Sequence, residues 1–210
     1  RGTMSLILGF KAYGKIHFCS DKRVLCTTII RRDQEKIIVL SKKTDPLAID
    51  IVVGLCGDMR FITLMRDQRN LDKIIDAYKE SPTIYGLVDG IVKMFEGKGT
   101  EPHKDPGSQG SYNLRMLIGL GNSIYEVGPD LTINQIPETD LATVGSGATI
   151  ALAYWDGRMQ KRSRQEARVG LIQDQIVQML MAECVMYASS VESTVGTEVS
   201  TYSYDLQNPA

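Results

Sequence analysis

Residues 5–23 read SLILGFKAYGKIHFCSDKR, which is two apolar segments on either side of Ala12-Tyr13-Gly14. Gly14 can adopt the positive φ of a tight turn, so this stretch predicts a β-hairpin that starts the fold. Just upstream of it stands Arg1-Gly2-Thr3. Either residues 1–2 are the remnant of a tag or leader, or Gly2-Thr3 is a processing junction that makes Thr3 a new amino terminus.

The next residues continue as strands and then change period. Residues 24–30, 35–41 and 49–57 are short apolar runs rich in β-branched residues, and each ends in a polar or glycine stop. From Asp58 to Tyr78 the apolar residues recur every three or four positions, which predicts one amphipathic helix. Ser81 and Pro82 then predict a second helix over 83–95, with Ser81 as its N-cap and Pro82 in its first position.

The second half repeats this order. Residues 96–111 are rich in glycine, proline and polar residues and predict a long exposed loop. Strands are predicted over 112–121, 123–128 and 141–147, followed by helices over 148–155 and 166–188 and a last strand over 197–206. The basic run that starts at Lys161 is predicted to be a surface turn. Segregated runs of strands and helices favour packed layers, so we expect one α+β domain over 1–210, with two sheets between helical hairpins.

Composition excludes several classes of function. Twenty-four Lys and Arg balance 25 Asp and Glu, so the charge excess of a nucleic-acid-binding protein is missing. The four cysteines have no metal spacing and predict small buried side chains in a reducing compartment, and the two histidines stand far apart. No apolar run reaches the roughly 18 residues of a membrane span. We therefore expect a cytoplasmic protein with no metal, cofactor, nucleic-acid or membrane partner.

One enzyme chemistry fits the start of the chain. A nucleophile at the mature amino terminus needs a hydroxyl, a free α-amine as base, a cation that stabilises the alkoxide, and donors for the oxyanion. An α-amine titrates at about pH 8, so it can accept a proton near neutrality. Thr3 and Ser5 are the hydroxyl residues at the start of the first strand.

Several segments together resemble a proteasome β-type subunit of the N-terminal-nucleophile (Ntn) hydrolase superfamily. They are TMSLILGF, SDKR, EKIIVL, IVVGLCGDMRF and LATVGSGATIA, and the resemblance extends over most of the chain. It implies a four-layer αββα sandwich of two antiparallel sheets flanked by helical hairpins. It also implies a mature chain that begins with Thr3 after self-cleavage of the Gly2-Thr3 bond.

The resemblance assigns roles residue by residue. Asp21 matches the family's conserved acid and Lys36 its catalytic lysine. Gly54 matches the backbone that binds substrate and stabilises the oxyanion, and Ser146 matches the serine near the terminal amine. Taken singly these residues are ordinary, because a lysine at a strand end is usually a solvated side chain and GSG is usually a turn before a helix.

The chain also departs from the family pattern. If residues 1–3 are foreign, removal of Met4 would expose Ser5, whose spacing to Asp21 also fits. Leu25 stands where a substrate-binding threonine is usual. The acid and serine that orient the amine can be placed with Glu192 as the acid or with Ser193 as the serine, and neither alignment satisfies both positions.

The resemblance implies a threonine-type endopeptidase that acts on peptides or unfolded proteins and assembles into a homo-oligomeric ring, with α-type subunits or an unfoldase as further partners. Two other functions stay open at this point. The departures at Leu25 and Glu192 suggest a catalytically inactive paralogue with a role in assembly. The loop over 96–111 could instead cover the pocket of an Ntn amidase that acts on a small molecule.

Overall fold

The computed structural model describes residues 5–25, 31–57, 59–96, 114–166 and 174–206. Its strands are β1 (Leu6–Ala12), β2 (Lys15–Asp21), β3 (Arg23–Leu25), β4 (Arg31–Asp33), β5 (Ile37–Ser41), β6 (Ile51–Gly57), β7 (Leu114–Leu120), β8 (Ser123–Val127), β9 (Ile133–Gln135), β10 (Ala142–Gly145) and β11 (Val199–Asp205). Its helices are α1 (Met59–Met65), α2 (Gln68–Glu80), α3 (Ile84–Phe95), α4 (Ala148–Glu166) and α5 (Asp174–Val191).

Two antiparallel sheets form the centre of the molecule. One has the order β10-β1-β2-β11, the other has the order β5-β6-β7-β8-β9, and β3 and β4 make a separate two-stranded ribbon. The predicted hairpin joins β1 to β2, with Ala12 paired to Lys15. Tyr13 and Gly14 both have positive φ, 52° and 71°, as a two-residue turn of this hand requires.

Three apolar cores hold four layers together. Ile7, Phe18, Val52 and Leu117 belong to the core between the two sheets. A second core joins the five-stranded sheet to α1, α2 and α3, and a third joins the four-stranded sheet to α4 and α5. Each sheet is therefore buried on both faces, which confirms the predicted four-layer αββα arrangement.

The helices over 59–95 begin and end at different residues from those predicted. The single helix expected from Asp58 to Tyr78 is wrong, because the chain breaks after α1 and Asp67 caps α2 by accepting a hydrogen bond from Arg69 N at 3.0 Å. Ser81 ends α2 instead of starting α3. Thr83 is the N-cap of α3, since its hydroxyl accepts from Gly86 N at 3.1 Å.

Two further differences lie in the second half. Sequence patterning missed β9, a three-residue edge strand paired with β8. The basic run was predicted to be a turn, but Lys161 to Glu166 continue α4, and α5 begins at Asp174. Apart from Glu96, the predicted loop over 96–111 lies outside the described residues.

The cysteines fit the buried role expected of them where they can be seen. Cys19, Cys56 and Cys184 are free thiols inside the apolar cores, and Cys26 lies outside the described residues. Within the described ranges, no helix combines the length and the apolar character needed to cross a membrane.

Candidate active site

Asp21 is the centre of a buried polar cluster at one end of the sandwich. It is the last residue of β2, and its side chain is fully buried. Its Oδ1 accepts hydrogen bonds from Leu6 N at 2.7 Å and Lys36 Nζ at 2.8 Å, and its Oδ2 accepts from Gly196 N at 2.9 Å and Arg23 N at 3.1 Å. One carboxylate thus joins four segments that are far apart in the sequence.

Lys36 is the buried cation of this cluster. It lies just before β5, and its side chain has no solvent exposure. Its carbonyl accepts from Leu55 N at 2.9 Å, which fixes its backbone against β6. Burial lowers the pKa of Lys36, and the charge and hydrogen bond of Asp21 oppose that shift. The net effect is a lowered pKa, and the paired carboxylate of Asp21 limits that shift and so favours the ammonium form of Lys36.

Ser5 lies directly before β1, beside a second hydrogen-bonded group. Ser146 Oγ lies 3.5 Å from the carbonyl oxygen of Ser5 and 2.8 Å from Thr194 Oγ1. The Thr194 hydroxyl donates to Glu192 Oε1 at 2.8 Å, and Thr194 N donates to the same oxygen at 3.2 Å. Glu192, Thr194 and Ser146 therefore form a chain of polar groups that leads to Ser5.

The peptide group between Ser5 and Leu6 is held from both sides. Its carbonyl faces Ser146, and its N–H donates to Asp21. Gly145 makes the close approach feasible, because a Cβ there would lie 1.9 Å from the Ser5 carbonyl oxygen and because its φ is +116°. The start of β1 is thus held by the end of β2, by the end of β10 and by the segment around residue 194.

The predicted amine-orienting residues are placed differently from either alignment. The carbonyl of Ser193 accepts from Arg23 Nη1 at 2.7 Å, so this residue anchors the segment through its backbone. Glu192 reaches Ser146 only through Thr194, a residue that sequence reasoning missed. The signal was a second hydroxyl in ESTVG, one position after the serine that was considered.

Gly54 has a packing role in the middle of β6. A Cβ on Gly54 would lie 2.7 Å from Ile7 Cγ2 of the other sheet, so glycine is needed for the two sheets to approach. Leu55 N donates toward β5, to Lys36 O, so the alternation of an antiparallel strand directs Gly54 N–H toward β7 and into the ladder with Leu117.

Gly57, at the end of β6, lies beyond the part of β6 that pairs with β5. Its N–H points to the same side of β6 as that of Leu55, and the residue pairs between β5 and β6 end before it, at Ile37 and Gly54. Its φ is +140°, a value that favours glycine. Gly57 therefore directs a backbone donor past the end of β5, on the side where Lys36 lies.

Two predicted residues cannot be placed as side chains. Thr3 lies outside the described residues. Leu25 is the last residue of β3, where its backbone pairs with Arg31, and its side chain is not described. Where the structure does describe the chain, no three His, Cys, Asp or Glu side chains group together in a way that could hold a metal ion.

No family model and no curated protein matches this sequence. Solved structures match over nearly its whole length. HslV from Trypanosoma brucei is 13% identical with a TM-score of 0.59, and the match covers 95% of this chain and 99% of that one. BPH from Thiobacillus denitrificans is 17% identical with a TM-score of 0.64, covering 97% of this chain and 100% of the other.

Anbu, the ancestral beta-subunit, from Yersinia bercovieri is 10% identical with a TM-score of 0.63, and the match covers 95% of this chain and 81% of that one. At identities this low, the structural matches establish a common fold and nothing more. The chain has the fold of Ntn hydrolases and proteasome-type β subunits, which confirms the fold predicted from the sequence.

Proposed function

We propose that this chain is a peptide-bond hydrolase with an N-terminal nucleophile, and that the nucleophile is Ser5. The observation that carries the proposal is the buried ion pair of Lys36 and Asp21, next to the start of β1. Asp21 Oδ1 lies within 2.8 Å of both Lys36 Nζ and Leu6 N. The ammonium is therefore close to the backbone that follows Ser5.

The choice of Ser5 over Thr3 follows from where the hydrogen bonds converge. Sequence reasoning favoured Thr3 and kept Ser5 as the alternative. Both polar groups of the site hold the peptide that Ser5 shares with Leu6. Thr3 stands two residues upstream, outside the described residues, and stays the second candidate.

The chemistry begins when the Ser5 hydroxyl attacks a peptide carbonyl. The α-amine of Ser5 accepts the hydroxyl proton, and the Lys36 ammonium stabilises the alkoxide as it forms. The tetrahedral intermediate expels the amine half of the peptide, which takes up that proton, and the acyl half stays as an ester on Ser5. Water then hydrolyses the ester and restores the hydroxyl.

This chemistry requires that the bond between Met4 and Ser5 be cut. While Met4 is attached, the nitrogen of Ser5 is an amide and cannot act as a base at neutral pH. A chain that keeps its upstream residues is therefore a zymogen on this proposal. Removal of residues 1–4 creates an amine with a pKa of about 8, which suits a general base.

Two further groups complete the site. Gly57 N–H stabilises the oxyanion, in place of Gly54, whose N–H points into the sheet ladder. Ser146 and Thr194, whose hydroxyl donates to the carboxylate of Glu192, position the α-amine. The Ser146 hydroxyl has one proton and two acceptors within reach, Ser5 O and Thr194 Oγ1. The hydroxyl group can therefore rotate to bond the α-amine once that amine is formed.

The substrate and assembly are proposed from the fold neighbours. A BPH structure contains epoxomicin, and one Anbu structure is described as a helical assembly. We infer that this chain acts on peptides, assembles with copies of itself and works in the cytoplasm. A fluorogenic peptide and a small amide, supplied separately, distinguish a peptidase from an amidase.

Intact mass spectrometry with epoxomicin tests the proposal. The purified protein is weighed before and after incubation with epoxomicin, and the first residue is identified from the mass. We expect a chain that begins at Ser5 and gains one inhibitor mass. The variant Ser5→Ala should gain none. Ser123→Ala is the matched control, because Ser123 starts β8 opposite Leu120, at the far end of the five-stranded sheet from Lys36, and it should react as the wild type does.

Other outcomes have distinct meanings. A chain that begins at Thr3 and still reacts after Ser5→Ala would move the nucleophile to Thr3. A chain that starts at Ser5, is folded and gains no inhibitor would overturn the enzyme and leave the inactive paralogue.

A further inference from the structure

A second ion pair lies directly beside the buried one, with its charges in the opposite order. Lys22 follows Asp21 in the chain, and Glu35 precedes Lys36. Lys22 Nζ lies 2.7 Å from Glu35 Oε1, and these side chains are 28% and 44% exposed. Two consecutive residues of β2 and its extension thus pair with two consecutive residues before β5, one pair buried and one at the surface.

Glu35 is also tied to two other elements. Its second carboxylate oxygen accepts from the hydroxyl of Ser200 on β11, and its carbonyl accepts from the guanidinium of Arg66, between α1 and α2. Gln34 N donates to Lys22 O at 2.7 Å. Partial burial alone would raise the pKa of Glu35, but the hydrogen bonds of Lys22 and Ser200 hold it below its usual range.

These contacts matter because Lys36 itself lies outside the strand. Residues 34–36 connect β4 to β5 without ladder pairing of their own, and the pairs of β5 with β6 begin at Ile37. The Lys36 backbone is fixed by one hydrogen bond from Leu55 N and, indirectly, by the contacts of the two residues before it, Gln34 and Glu35. Successive side chains of extended backbone point to opposite sides, so Glu35 reaches outward while Lys36 reaches the core.

We propose that Lys22 and Glu35 are positioning residues that set the place of the Lys36 ammonium. The inference rests on the proposed function in so far as Lys36 takes part in catalysis. An exposed ion pair contributes only about 0–1 kcal/mol to stability, so its effect should fall on geometry and rate. A displacement of about 1 Å at a catalytic group can cost as much as a hundredfold in rate.

The test compares Glu35→Gln, Lys22→Met and the double charge swap Lys22→Glu with Glu35→Lys. The rate of covalent modification by epoxomicin is measured for each, together with the ¹³Cε chemical shift of Lys36 as a function of pH. Asp89→Asn is the matched control, because Asp89 and Lys93 form an exposed pair of the same length, 2.7 Å, on α3.

We expect each single variant to react roughly ten- to a hundredfold more slowly and to alter the Lys36 titration, while its unfolding midpoint stays near that of the wild type. The charge swap should react faster than either single variant. The proposal is overturned if Glu35→Gln reacts at the wild-type rate, or if the swap is no faster than the single variants.

The spectroscopic measurement separates this inference from the proposed function. If the wild type does not react with epoxomicin at all, the enzyme proposal fails, and the Lys36 titration still decides the positioning role. A titration changed by Glu35→Gln and unchanged by Asp89→Asn supports the role. A titration that is the same in all three proteins rejects it.

Discussion

The two ends of the β-sandwich differ in how their buried charged groups are paired. At the end where β1 and β5 start, Asp21 and Lys36 are fully buried, and Asp21 accepts four hydrogen bonds. At the opposite end Ser41 and Tyr204 are also buried. Their hydroxyl oxygens have no hydrogen-bond partner within the described part of the chain.

This contrast teaches that the fold does not need a buried ion pair to close its sheets. The far end also buries the carboxylate of Asp50, which accepts a hydrogen bond from Lys43 N at 3.1 Å, but among the described residues no buried cation is paired with it. A buried ion pair stabilises little compared with apolar residues of the same size, so stability alone does not explain the pair at the near end, and this supports the catalytic role proposed for it. The following experiments perturb one end or the other, in order of decreasing expected effect.

Asp21→Ala should have the largest effect. It leaves the Lys36 ammonium buried and unpaired, which costs about 3–5 kcal/mol of unfolding free energy. Urea unfolding measures the loss. Adding Lys36→Met to the same protein should recover part of it, because no buried charge remains. If the single variant is as stable as the wild type, the ion pair does not hold this end together.

Gly54→Ala should rank second. The new methyl group meets Ile7 Cγ2 at 2.7 Å, and overpacking of this kind costs about 1–3 kcal/mol. Gly157→Ala on α4 is the control, since a Cβ there meets no atom within 4 Å and should be neutral or stabilising. Equal thermal midpoints for the two variants would contradict close sheet packing at Gly54.

Thr194→Val removes the hydroxyl that links Ser146 to Glu192. We expect a loss of about 1 kcal/mol in stability, as for one hydrogen bond, and slower modification by epoxomicin because the amine is less well oriented. Thr201→Val, at an exposed position of β11, serves as the control. An unchanged modification rate in Thr194→Val would remove this residue from the site.

Lowering the pH should destabilise the end of the sandwich that contains Asp21 and Lys36, because Glu35 becomes protonated there. The pKa of Glu35 is lowered in the folded chain, so its contribution to stability is present above its unfolded pKa of about 4.5 and is lost as pH falls through the folded value. Glu35→Gln should therefore reduce the dependence of the urea midpoint on pH in the acid range. A dependence as steep as that of the wild type would show that other carboxylates account for it.

Tyr204→Phe should have the smallest effect. The lost hydroxyl lies in the core near Gly119 and has no partner in the described chain, so stability should change by less than about 1 kcal/mol, toward either neutrality or stabilisation. Modification by epoxomicin should be unaffected. A loss near that of Thr194→Val would mean that the two ends are built alike.

Much of the near end could be predicted from sequence because it lies in local patterns. The alternation around Gly14 gives the hairpin, and the intervals between Ser5, Asp21 and Lys36 follow from strand lengths. Thr194 was missed because its partners, Ser146 and Glu192, come together through tertiary packing that no spacing encodes. The sequence pointed to Gly54 and gave no sign of Gly57, because the direction of an N–H depends on strand register, which the sequence does not record.

The helix boundaries failed for a related reason. The apolar period from Asp58 to Tyr78 continues through the break at Asp67, since both α1 and α2 pack on the same sheet. Only the capping hydrogen bond of Asp67 marks the interruption. Periodicity reports which face is buried and is blind to a short turn that keeps the same face inward.

Strand ends normally fray, yet the peptide group between Ser5 and Leu6 is hydrogen-bonded to Ser146 on one side and to Asp21 on the other. Its position therefore belongs to the folded core and does not depend on what precedes Ser5. A cut between Met4 and Ser5 would release a terminus whose surroundings are already in place. The entropic cost of ordering Ser5 and the start of β1 is already met when the chain folds. Maturation would therefore need no later rearrangement of the first strand.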